Sequence, residues 1–330
     1  MQKEKFSIGG LWQVLKAAFS GFGDDKVLTL SASLAYYTVF SMAPLLIVII
    51  ALCSSVFDRA AVEGSIYTQL EGFMGKNTAL QLQDIIKNAA LSGNNVWATI
   101  IGIVVLFMGA TGVFAEIQEA VNTIWGIKSK PKKGWLKFIQ NRVLSFSVIV
   151  SLGFLLLVSL LLSTVIDGVH EKLLTMYPDA AVWLLYIVNQ VLSFVVAVGI
   201  FAVIFKVLPD AIIKWKDVIV GAIGTGVLFM LGKFAIGYYI SAADVGSTFG
   251  AAGALVVMLV WTYYTAVILY FGAEFTSSFA IKFGSDIHPN AYAITYRDVE
   301  VEMGKDVVRD TETQVVSETK VDAGNTTTGK

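Results

Sequence analysis

Ionisable side chains inside apolar stretches are costly in a bilayer, so the few in this chain mark where binding or ion handling would occur. Lys233 is the clearest, fifteen residues after Val218 in a run that is otherwise apolar or small. At 1.5 Å per helical residue it lies about 22 Å along a helix begun there, in the outer half of a bilayer. Such a lysine either snorkels to the interface with a topological role alone, or meets a headgroup or counter-charge. Glu274 lies toward the inner end of another run, below Trp261, Tyr263 and Tyr264. It reads either as a helix-end carboxylate paired with a cytoplasmic lysine or arginine, or as a binding group in a pathway. The two depths differ by about 10–15 Å, which argues against a Lys233–Glu274 bridge. Glu116, Glu119 and Asn122 recur every three residues as one polar stripe. That stripe is either the solvated face of a helix extension or an acidic, proton-coupling lining at a cytoplasmic entrance.

Covalent chemistry finds less support. His170 and His288, the two histidines, are expected on opposite sides of the membrane. No set of histidines and carboxylates has metal-ligand spacing. Cys53, the single cysteine, forms neither a disulfide framework nor a thiolate site by itself. Gly221, Gly224, Gly250 and Gly253 lack the preceding strand and the lysine spacing of a phosphate loop, and read as helix-packing positions. Pro44 is expected to kink the first span. No cofactor motif appears. The lysines from Lys128 to Lys137 read as a cytoplasmic loop against anionic headgroups rather than a nucleic-acid surface. These residues describe a protein that is not an enzyme, with membrane lipids and no nucleic acid as partners.

The elements that position these groups follow from composition and charge. Of 330 residues, 56% are hydrophobic and 15% charged, with a mean hydropathy of +0.71. Ordinary soluble domains carry about 25% charged residues. About 20 apolar helical residues cross a bilayer, and charge-free runs of that order give spans at about 29–57, 96–115, 143–166, 181–205 and 249–281. A sixth, 218–240, admits Lys233. The expected fold is all-α and polytopic, with six transmembrane helices. Lysines and arginines number thirteen in the N-terminal segment and alternate connections against four in the others. This places both termini in the cytoplasm, by the positive-inside rule. Residues 1–26 are expected to form an amphipathic helix on the inner membrane face, with Leu11, Trp12, Leu15, Phe19 and Phe22 as its apolar side. Amphipathic stretches between Asp58 and Asn95 suggest a small helical periplasmic loop. Residues 27–283 make the membrane domain and 284–330 a polar tail, disordered from Arg297 by its composition.

Four motifs, in order, carry a resemblance. They are Ser31-Ala-Ser-Leu-Ala-Tyr-Tyr-Thr-Val-Phe-Ser-Met-Ala-Pro44; Ala120-Val-Asn-Thr-Ile-Trp125-Gly; Leu208-Pro209-Asp210 with Trp215, Asp217, Gly221 and Ala222; and Phe249-Gly-Ala-Ala-Gly253 with Trp261-Thr-Tyr-Tyr264 and Gly272-Ala-Glu274. Over residues 10–283 the chain resembles the YihY/BrkB family of bacterial inner-membrane proteins, some of which carry the name ribonuclease BN. The resemblance implies a six-helix membrane fold and no settled activity. Proposals for the family include envelope lipid handling and serum resistance. Three functions remain: transport or flipping of an envelope lipid or other amphipathic molecule, a membrane scaffold or assembly factor, and, last, a ribonuclease or other membrane enzyme. Substrate, direction, energy source and oligomeric state are left open.

Overall fold

The computed structural model describes residues 7–53, 112–130, 178–242, 252–290 and 292–296, with single positions at 64, 67, 79, 80 and 83. Six helices carry the described fold: α1 (Ile8–Asp24), α2 (Val27–Cys53), α3 (112–124), α4 (Pro178–Val207), α5 (Trp215–Ala242) and α6 (Gly253–Lys282). Four short strands lie at helix ends: β1 (Ile127–Ser129), β2 (Ala211–Ile212), β3 (His288–Pro289) and β4 (Ala293–Thr295). Helices α2, α4, α5 and α6 fall on the spans expected at 29–57, 181–205, 218–240 and 249–281, with 54–57 and 249–251 outside the described residues. The span at 143–166 and most of that at 96–115 lie outside the described residues, as does Gly250. The segment expected as a periplasmic loop is described only at its single positions, which are helical. Among the described residues three helices are long and apolar enough to cross a membrane, within Gln190–Val207, Trp215–Ile240 and Gly253–Lys282. Helix α2 continues through Pro44 to Cys53.

On α2 and α5 small residues are buried while several large ones are exposed. Ser31 and Ala35 of α2 are buried while Tyr36, Tyr37 and Phe40 are exposed. Ala222 and Thr225 of α5 are buried, whereas Leu231, Phe234 and Tyr238 face outward. A soluble domain would do the reverse, because exposed apolar area is unfavourable in water. In lipid the outward residues cost nothing, and tight backbone approach supplies the association.

Helix α6 is the hub, packing on α1, α2 and α5, while α4 packs on α5. The α5–α6 seam is built by a reciprocal pattern. Gly221 and Thr225 on α5 face Thr276 and Gly272 on α6, each glycine taking the other helix's threonine. Each threonine hydroxyl, held in an apolar seam, donates to the carbonyl four residues earlier, Thr225 to Gly221 at 2.8 Å and Thr276 to Gly272 at 2.6 Å. Nearer the other end Gly232 meets Tyr264 and Ile268. One apolar core gathers Leu34, Val121, Phe205, Leu208, Val218, Tyr270 and Ala273 from five helices and their connections.

The structure adds a partner to one expectation and corrects another. Helix α1 forms, with Ser7 as its N-cap accepting from the Gly10 N–H at 3.1 Å. It runs antiparallel along the last turns of α6, however, with Gly10 at Phe283, Gln13 bonded to Lys282, Phe19 and Phe22 on Phe271, and Gly21 at Glu274. The face it buries is Gly10, Val14 and Ala18, while Ile8, Trp12 and Phe19 stay exposed. A helix buries its small side against another helix and leaves its bulky side for lipid. Second, the tail expected from residue 284 begins later. Residues up to Tyr296 are docked: β3 pairs antiparallel with β2 and β4 with β1. Residues 297–330, expected to be disordered, lie outside the described residues.

The α5–α6 seam predicts a measurable coupling. Gly221→Ala puts a methyl group into Thr276 and should destabilise the detergent-solubilised protein by about 1–3 kcal/mol. Adding Thr276→Ala removes two of the three colliding atoms, so the double variant should unfold later on heating than additivity of the single variants allows.

Candidate functional site

Polar groups concentrate where the ends of α3, α4 and α6 meet. Helix α4 stops at Val207, and Pro209, which cannot continue a helix, turns the chain. This leaves Asp210 only 2% exposed. Its Oδ1 accepts from Gln118 Nε2 at 3.1 Å and its Oδ2 from Asn122 Nδ2 at 3.0 Å. Its N–H donates to Asn122 Oδ1 at 2.8 Å, and its carbonyl accepts from the Asn290 N–H at 2.9 Å. Tyr292 approaches the same carboxylate; burial first, and then the Asp210 charge, push its phenol above the usual range. A buried carboxylate needs such donors, because water no longer supplies them.

The expected stripe of Glu116, Glu119 and Asn122 therefore does not hold together. Asn122 is buried against Asp210, Glu119 is exposed and Glu116 half-buried. A 3.6-residue helix turns about 100° per residue, so three positions three apart drift around the surface. The pair that meets Asp210 is Gln118 with Asn122, four apart. Gln118 was not singled out in the sequence, although that spacing is its signal.

Helix α3 ends at a glycine C-cap. Gly126 has φ +63°, a left-handed conformation, and its carbonyl accepts from Tyr296 N–H at 2.9 Å. The turn swings Trp125 inward, where its Nε1 donates to the Ala273 carbonyl at 3.1 Å. A second seam ties α5 to the end of α6. Asp217, in the first turn of α5, accepts from the Ser285 N–H at 2.9 Å and hydroxyl at 2.6 Å.

Next to Ala273 is Glu274, 5% exposed. Its carboxyl lies on Gly21 of α1, where any side chain would collide with it. Asp25, the C-cap of α1, is within hydrogen-bonding reach, with Asp24 close enough for its charge to act. Oε1 of Glu274 is buried and has no hydrogen-bond partner among the described residues. The Tyr270 hydroxyl, one turn earlier on α6, is likewise buried without one. The charge of Glu116 acts on Tyr270. Among the described residues the charged groups found acting on the Glu274 carboxyl are Asp25 and Asp24, and the cytoplasmic lysines and arginine of 132–142, candidates for the expected pairing, lie outside them. Asp25 and Gly21 were missed, because nothing along the sequence says that α1 folds back onto α6.

Lys233 is half-buried and engaged in an interaction of its own. The Gly221–Thr276 and Gly272–Thr225 contacts place Glu274 level with residue 223 of α5. Lys233 is ten residues farther, about 15 Å along the helix, so the two do not meet. Gly221 packs on Thr276, and Gly253 is buried as the first residue of α6. Among the described residues no three histidine, cysteine, aspartate or glutamate side chains are grouped to hold a metal.

Asn122 both accepts from and donates to Asp210, so Asn122→Ala leaves two buried partners unmet. It should cost about 2–4 kcal/mol, Gln118→Ala about 1–3 kcal/mol, and Glu119→Ala within about 0.5 kcal/mol of nothing. Thermal unfolding in one detergent, followed by tryptophan fluorescence, ranks the three.

A model of the family described as virulence factor BrkB matches residues 18–293. That range contains Trp125, Asp210, Gly221 and Glu274. A UPF0761 membrane protein of Tolumonas auensis is 28% identical over 272 residues, covering 77% of this chain and 81% of that one. One from Vibrio vulnificus is 25% identical over 265 residues, covering 77% and 78%. One from Stenotrophomonas maltophilia is 25% identical over 262 residues, covering 78% of this chain but 59% of its own length. No solved structure matches. With the family model spanning most of its length and its curated relatives named as membrane proteins, this chain is an integral membrane protein that belongs to the virulence factor BrkB family.

Proposed function

We propose that this protein moves an amphipathic envelope molecule, a lipid or lipid-linked precursor, in the bacterial inner membrane. It does so as a six-span bundle with both termini in the cytoplasm and without catalytic chemistry of its own. The observation that carries this reading is Glu274, a buried carboxyl group within an apolar helix, with one oxygen that has no partner among the described residues. An ionisable side chain in a bilayer costs about 2.5–3.5 kcal/mol at a helix centre, which is tolerated where the group binds or relays something. Beside it the exposed Ile8, Trp12 and Phe19 of α1 offer an apolar surface. A polar site flanked by an apolar track suits a molecule with a headgroup and a tail. Lys233, about 15 Å deeper along the bundle, supplies a second polar station of opposite charge.

The basic bias of the alternate connections supports the topology. Reporters fused after Lys133 or near Arg309 should read as cytoplasmic, and one near Lys76 as periplasmic. A periplasmic signal from the tail would sink the six-span arrangement.

Function is tested by complementing an envelope-stress or lipid-accumulation phenotype, with protein level measured in parallel. Glu274→Gln and Lys233→Met should be as abundant as wild type and inactive, with Lys233→Arg partly active. A scaffold would tolerate both neutral variants, so full activity in the pair removes the transport reading.

A further inference from the structure

The charged groups found acting on Glu274 among the described residues are acidic. Asp25 contacts its carboxyl and Asp24 lies nearby. Helix α1 ends there, with the Gly21 carbonyl accepting from the Asp25 N–H at 2.8 Å, so the negative end of its dipole points at the same place. Lys26 follows directly in a left-handed conformation, φ +52°, unusual for a non-glycine residue. Lys16 is exposed on α1, and Lys282 of α6 bonds the Gln13 side chain two turns away. On α6 itself the facing titratable group is Tyr270, on which Glu116 of α3 acts. Helix α2 carries no charged residue over Val27–Cys53, and on α5 the nearest acid, Asp217, is engaged by Ser285.

A carboxylate accepts hydrogen bonds and donates none. Two carboxyl groups in hydrogen-bonding contact therefore need a proton between them, and titrate as a pair. We propose that Glu274 and Asp25 bind one shared proton, and that this proton clamps α1 onto α6. On release the proton passes to water at the exposed Asp24 side and both carboxylates become charged at contact. Their repulsion opposes the close approach that Gly21 allows, and α1 swings off the Gly10, Val14, Ala18 and Gly21 face. The unpartnered Oε1 is the acceptor left over for a headgroup donor once the clamp opens. This names the coupling ion at the site on which the transport reading rests, and its test needs no transported substrate, so either can fail alone.

The test is infrared difference spectroscopy on the full chain in lipid nanodiscs, across an acid-to-alkaline titration. Wild type should show one carbonyl stretch of a protonated carboxylic acid that is lost as pH rises. Glu274→Gln and Asp25→Asn should each abolish it, because either amide satisfies the remaining carboxylate; Asp24→Asn should keep it. Persistence of the band in Asp25→Asn would mean an isolated protonated glutamate and overturn the shared proton. Loss of the wild-type band on adding sodium chloride at constant pH would assign the site to a metal cation instead. Clamping is read separately from thiol labelling of Ala18→Cys in a Cys53→Ser chain. Relative to an exposed Lys16→Cys reference, which cancels the thiolate's own rise with pH, labelling should rise several-fold with pH, and that ratio should stay flat when Glu274→Gln is added. A pH-independent ratio in the otherwise unaltered chain would overturn the clamp.

Discussion

A carboxylate withdrawn from water must recover its hydrogen bonds from the protein, and Asp210 does so from segments far apart in sequence. Gln118 and Asn122 come from the end of α3, Asp210 itself follows α4, and Asn290 follows α6. A buried ion pair or charge network adds little net stability compared with apolar packing, but loss of one partner is expensive. The bonds therefore act less as glue than as a gauge, since only one arrangement of three helix ends satisfies every group. The two-stranded pairs β1–β4 and β2–β3 lie on either side of this point and extend it.

From that gauge the rest of the described fold takes its position. With α3 held, Trp125 reaches the Ala273 carbonyl in the C-terminal third of α6. With α4 and α5 joined by a short turned connection, α5 meets α6 along a seam where glycine and threonine exchange places. Lipid gives such a seam no hydrophobic drive, so close approach and dispersion must hold it. This explains why glycines line the seam and why Thr225 and Thr276, 0% exposed, are inside with hydroxyls turned to their own backbones.

Helix α1 is attached differently. It lies on α6 through glycine, alanine and a few ring contacts, and its polar neighbour there is Glu274. Where the Asp210 network is complete, the α1–α6 contact leaves a Glu274 oxygen without a partner among the described residues. A complete network makes a rigid base; an incomplete one is where a fold spends stability on a task.

The sequence by itself determined the class. A bilayer span needs an unbroken apolar run, a property of consecutive residues, so α2, α4, α5 and α6 were legible from charge spacing, and the ordered motifs led to the family. The distance between Lys233 and Glu274 along the helices follows from the constant helical rise once the α5–α6 register is known. What only the tertiary structure decided is what each polar group faces. Asn122 reads the same along the chain whether it meets water or a buried aspartate. Glu274 gives no sign that Asp25, some 250 positions earlier, is its neighbour. Strands of two or three residues are too short to show an alternating pattern, so residues 285–296 passed for tail. The amphipathic face of α1 named its bulky side, but whether that side meets protein or lipid depends on the solvent around the helix. Periodicity records that two faces differ; the partner that each face meets is settled only when the chain closes on itself.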